Sequence, residues 1–126
     1  MGNKTSIEKI NFEDMQNYIK NNNVIIINTL SVHNQYCLIK NTIKSNEEEE
    51  LINKKMKTEI NNKIIIYGKN CNDETVYKKY KQLVMLGFNN ISLYLGGLFQ
   101  WLCLQDIYGK ENFETDGNEL DILKYK

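Results

Sequence analysis

The sequence predicts an α/β domain with a mostly parallel central sheet and helices on both of its faces. Three observations carry that reading. Residues 24–27 (Val-Ile-Ile-Ile) and 64–67 (Ile-Ile-Ile-Tyr) are short, continuous and β-branched, with no polar alternation, as in strands buried on both faces. Amphipathic stretches with helical spacing lie between and after them, which is the alternation of crossover units. The chain has 126 residues, enough for one core and no second unit of ordinary size.

Residues 6–10 read as a weak edge strand, and Phe12, Met15, Tyr18 and Ile19 then fall on one helical stripe. Asn11 stands where an N-cap belongs, ahead of the acidic first turn of Glu13 and Asp14. After the strand at 24–27, Asn46 is placed to cap a helix opening on four glutamates, 47–50, and carrying Leu51, Ile52 and Met56. Those acids suit the positive end of the helix and are expected to be solvated.

The strand at 64–67 precedes the best-defined helix, which begins near Asp73. It carries Val76, Tyr80, Leu83 and Val84 on one stripe, with Lys78, Lys79 and Lys81 mostly opposite. Gly87 sits at the left-handed position that ends a helix, with Phe88 next to close onto Leu83 or Val84. A third strand, 91–94, leads through Gly96-Gly97 to an apolar helix over 98–108 containing Trp101. Residues 109–126 show no period; Gly109, Asp116 and Gly117 mark turns, and Leu120, Ile122, Leu123 and Tyr125 can pack back as a C-terminal arm. The expected organisation is an N-terminal segment at 1–6, a domain at 7–108 and an arm at 109–126.

Composition narrows the function. Sixteen Lys balance sixteen Asp plus Glu for a formal net charge of zero, which argues against nucleic acid as a partner. Cys37, Cys71 and Cys103 form no CxxC pair and His33 stands alone, so no metal site and no cofactor are expected. Cys37 and Cys103 read as small buried hydrophobes in a reducing, cytoplasmic compartment. The chain contains no Arg, so any anion pocket must rely on Lys or backbone N–H groups.

An aliphatic strand ending in Tyr67, the loop Gly68-Lys69-Asn70-Cys71-Asn72-Asp73, a helix closing in Leu86-Gly87-Phe88, a strand, and then Gly96-Gly97-Leu98-Phe99-Gln100-Trp101 resembles the C-terminal half of a rhodanese-like domain. The segment 24–28 with 39–43 is similar, more loosely, to that family's first half. The resemblance implies a loop in which a Cys directly after the strand takes a sulfane sulfur from an anionic donor and passes it to an acceptor thiol. That chemistry needs a thiolate, a ring of backbone N–H donors at a helix N-terminus, and a cation.

Here the nucleophile's place is held by Gly68 and the cation's by Asp73. Cys71 is the displaced alternative, near the helix N-terminus and two residues from Lys69. Asp73 and Glu74 oppose it: each repels a bound anion by about 1–3 kcal/mol at roughly 6 Å in an effective dielectric of about 20 or more. The related cell-division-cycle phosphatase chemistry needs an Arg clamp and is excluded. Many active relatives carry Asp-x-Arg after the first long strand, where this chain has Asn28-Thr29-Leu30.

Two functions follow as expectations. The first is a non-catalytic interaction module, a pseudoenzyme whose active-site-type loop (Gly68, Lys69, Asn70, Asn72, Asp73, Glu74, Thr75) faces a protein partner. The second is a thiosulfate or persulfide sulfurtransferase using Cys71. Separately, Met1-Gly2-Asn3-Lys4-Thr5-Ser6 fits the N-myristoylation pattern at Gly2. One such chain gives an association of only about 10⁴ M⁻¹, hence a reversible membrane contact.

Overall fold

The computed structural model describes residues 6–126; Gly2 and the rest of residues 1–5, with the expected lipidation site, lie outside them. Strand β1 (Glu8–Ile10) leads into α1 (Phe12–Tyr18). Asn11 caps α1 as expected: its Oδ1 accepts from the Asp14 N–H at 2.9 Å, and Asp14 accepts from the Asn11 N–H at 3.2 Å, a reciprocal capping box. Then come β2 (Ile25–Asn28), a 3-10 turn (Val32–Asn34), β3 (Leu38–Ile39), α2 (Ser45–Thr58), β4 (Ile64–Tyr67), α3 (Thr75–Met85), β5 (Ile91–Tyr94), α4 (Gly97–Tyr108), β6 (Thr115–Asp116) and a 3-10 turn (Ile122–Tyr125).

The main sheet has the order β1-β5-β4-β2 and all its pairings are parallel. Ile26 pairs with Ile65, which in turn lies beside Ser92. A parallel bridge from Thr42 to Ile26, and the Ile43 N–H bonded to the Ile26 carbonyl at 2.9 Å, extend the sheet past β2. The aliphatic runs lack alternation because both of their faces are buried. Ile26, Ile65, Tyr67 and Tyr94 face a core with Met15, Leu98, Trp101 and Leu102, whereas Ile25, Ile27, Ile64, Ile66 and Leu93 face one with Ile52, Val76 and Leu83. Helices α1 and α4 therefore cover one face, and α2 and α3 the other.

Helix α3 ends as its sequence predicts. Gly87 has φ +105°, its N–H bonds the Val84 carbonyl at 2.9 Å, and the Phe88 N–H bonds the Leu83 carbonyl at 3.1 Å. This is the double hydrogen bond of a Schellman motif, with Phe88 buried among the residues that include Leu83. Helix α2 departs from expectation. It starts at Ser45 after Lys44, without a side-chain cap, so Asn46 is inside the helix. Nor is its acidic turn wholly solvated: Glu48 pairs with Lys79 of α3 at 2.5 Å.

Residues 109–126 fold back over the α1/α4 face. Strand β6 pairs antiparallel with β3, Phe113 and Tyr125 are buried, and Trp101 Nε1–H donates to the Glu114 carbonyl at 3.0 Å. Trp101 meets Phe113 edge-on at 5.1 Å and Tyr94 at 6.0 Å. Cys37 is fully buried and burial pushes its thiol up; Cys103 is only half-buried.

Candidate functional site

The carboxyl ends of β4 and β5 are where an open parallel sheet places its ligands. The loop after β4 is held there by the start of α4. Gly97 has φ +70°, and a Cβ on it would stand 2.8 Å from the Gly68 carbonyl oxygen and 3.0 Å from the Asn70 nitrogen. Only glycine allows so close an approach of two backbones. The approach lets the Leu98 N–H donate to the Gly68 carbonyl at 3.0 Å and the Phe99 N–H to the Lys69 carbonyl at 2.9 Å. The Gly-Gly element thus clamps the loop by its carbonyls.

Inside the loop the acceptor is Asp73. Its Oδ2 accepts from the Lys69 N–H at 2.8 Å; its Oδ1 accepts from the Thr75 N–H at 3.0 Å and lies 2.5 Å from Thr75 Oγ1. Thr75 Oγ1 is also 2.8 Å from Thr29 Oγ1 at the exit of β2. Partial burial works against the ionised carboxyl. The Lys69 N–H, the Thr75 hydroxyl and N–H, and the Lys69 charge outweigh it and hold Asp73 below the ordinary aspartate value. The carboxylate therefore sits at the start of α3 as an internal anion, using donors that a bound anion would need.

Gly68 is buried beneath that carboxylate. A Cβ there would meet Asp73 Oδ2 at 2.5 Å, Val76 Cγ2 at 2.7 Å and Thr29 Oγ1 at 2.8 Å. Cys71 is exposed, and among the described residues no hydrogen bond reaches its thiol. Asn70 ties the loop together: its Oδ1 accepts from the Asn72 N–H at 2.9 Å, and its Nδ2–H donates to the Tyr125 carbonyl at 2.9 Å. Glu74 stands exposed at the helix start and makes no side-chain cap. The loop residues expected from sequence are therefore together, but Cys71 is not at their centre.

The sequence placed Thr29 at a strand exit and Tyr125 in the arm but did not show that both reach the loop, which they do only through tertiary contact. At the exit of β2, Asn28 Oδ1 accepts from the Leu30 N–H at 3.0 Å. No group of three His, Cys, Asp or Glu able to hold a metal ion occurs among the described residues. No described helix is long and apolar enough to cross a membrane.

A parallel four-stranded sheet with this loop, the Gly-ended helix and the clamped Gly-Gly turn is a rhodanese-like fold. The rhodanese-like domain of the Alr3790 protein from Anabaena sp. superimposes with a TM-score of 0.64 at 19% identity, covering 90% of this chain and 81% of that one. BH2092 from Bacillus halodurans gives 0.64 at 21% identity, over 87% of this chain and 77% of that one. The single-domain sulfurtransferase RDL2 of Saccharomyces cerevisiae gives 0.56 at 13%, over 85% and 98%. No family model and no curated protein matches the sequence. At these identities the likeness is one of fold.

Proposed function

We propose that this chain is a non-catalytic rhodanese-fold module whose loop side binds a protein partner. The observation that carries the reading is the Asp73 carboxylate in the loop, bonded to the Lys69 and Thr75 N–H groups. A sulfane-sulfur donor such as thiosulfate would have to displace an anion already satisfied there. Lys69 is the one nearby cation in the loop, and Asp73 already draws on its charge. Cys71, exposed and without a hydrogen-bond donor to its sulfur, has little to stabilise a thiolate or persulfide. Exposed Val32 and Met85, at 79% and 87%, supply apolar surface near the exit of β2 and on α3.

Incubation with thiosulfate or a low-molecular-weight persulfide, followed by intact-mass measurement, tests this reading. The expected result is no stable added sulfur on the wild-type chain. An added sulfur that disappears in Cys71→Ser, together with its transfer to an acceptor thiol, would overturn it in favour of a Cys71 sulfurtransferase.

A further inference from the structure

Adjoining the Asp73 loop, and sharing Thr29 and Thr75 with it, a cleft of about 730 Å³ opens between the exit of β2 and α3. Thr75, Lys78, Gln82 and Met85 line it at spacings of three, four and three residues, one stripe of α3 running roughly 15 Å along the helix, with Lys81 beside it. Asn28, Thr29 and Leu30 form the opposite wall. Of the charged residues in the lining, Lys79 is paired with Glu48, while Lys78 and Lys81 are exposed and form no ion pair among the described residues. The exposed Met85 adds apolar surface, while Leu30 is buried in the core beneath the wall.

The wall also contains an unmet donor. Asn28 is 4% exposed; its Oδ1 is taken by the Leu30 N–H, and its Nδ2 makes no hydrogen bond among the described residues.

We propose that this cleft binds an acidic segment of a partner protein, its carboxylates on Lys78 and Lys81 and an apolar residue against Met85. The proposal rests on the non-catalytic reading and names the chemistry of the partner. Charge complementarity selects the occupant: two unpaired ammonium groups one helical turn apart, next to apolar surface, suit alternating acidic and aliphatic residues. The polarity of the site follows too. Asp73 and Glu74 flank the start of α3, so the acidic residues bind toward the Lys78–Lys81 end.

The test is fluorescence anisotropy with a fluorescein-labelled peptide in which glutamates alternate with leucine, titrated with the full chain at low and high salt. Binding is expected to weaken with salt, and to fall about tenfold or more in Lys78→Glu/Lys81→Glu. The same charge change placed on α2, Lys54→Glu/Lys57→Glu, is expected to leave it within about twofold. Met85→Ser should weaken binding without changing its salt slope. If Lys78→Glu/Lys81→Glu fails to melt cooperatively, Lys78→Gln/Lys81→Gln replaces it.

No binding by the wild type overturns the proposal, as does equal loss from the two lysine pairs or equal affinity for a peptide with Lys in place of Glu. The intact-mass experiment decides the loop reading independently. A Cys71 adduct with normal peptide binding defeats only the non-catalytic reading, and no adduct with no peptide binding defeats only this one.

Discussion

Asp73 Oδ2 lies 2.5 Å from the point where a Cβ on Gly68 would stand. A side chain at position 68, where the resemblance would put the sulfur carrier, and the carboxylate in this loop are therefore mutually exclusive in this geometry. Positions 68 and 73 thus share one volume.

That exclusion sets the outcome of restoring the cysteine. Gly68→Cys forces its new side chain against Asp73, Val76 and Thr29, and is expected to cost about 1–3 kcal/mol by overpacking. Adding Asp73→Gly should recover part of that loss, a favourable coupling of about 1 kcal/mol in a double-mutant cycle of urea unfolding. Strict additivity would show that the two groups do not compete.

The hydrogen bonds to Asp73 predict an acid-sensitive loop. Its carboxyl is held below the ordinary value of 3.8, so its stabilising effect is present above that value and is lost as the pH falls through the lowered one. Because the group is largely solvent-screened, Asp73→Asn should cost only about 0.5–1 kcal/mol at neutral pH. The stability gap between the two proteins in chemical unfolding should narrow as the pH is lowered below 3.8, and a gap that does not change with falling pH would contradict the assignment.

Gly97 is where the α4 backbone meets the loop. Gly97→Ala places a methyl 2.8 Å from the Gly68 carbonyl at φ +70°, and is expected to destabilise by about 1–3 kcal/mol. Thermal melting measures the loss, and amide exchange should show faster opening at Leu98 and Phe99, whose N–H groups hold the loop carbonyls.

Asn70 links the loop to the C-terminal arm through Tyr125. Asn70→Ala removes that bond and the Asn72 turn together, and should cost about 1 kcal/mol. Amide exchange should rise in both 70–75 and 122–126; a rise confined to the loop would mean that the arm is held by the burial of Tyr125 alone.

The buried strands, the Asn11 cap, the end of α3 and the Gly-Gly turn were legible in the sequence because each signal lies within a few neighbouring positions. Runs such as 64–67 reveal double-sided burial without any partner being known. Strands β3 and β6 were not legible: at two residues each they carry no period, and their pairing of Leu38 with Asp116 and Ile39 with Thr115 exists only after the chain returns. The start of α2 was misplaced because glutamates in a first turn suit more than one cap position.

At the site the division is sharper. That residue 68 has no side chain, that no Arg is present and that a carboxylate precedes α3 is written in the chain itself. That Asp73 turns inward while Cys71 faces solvent emerges from the folded packing alone. The reason is steric and electrostatic: α4 fixes the loop carbonyls from one side, so the Lys69 and Thr75 amides are left for an acceptor on the other, and Asp73 is the charged one within reach.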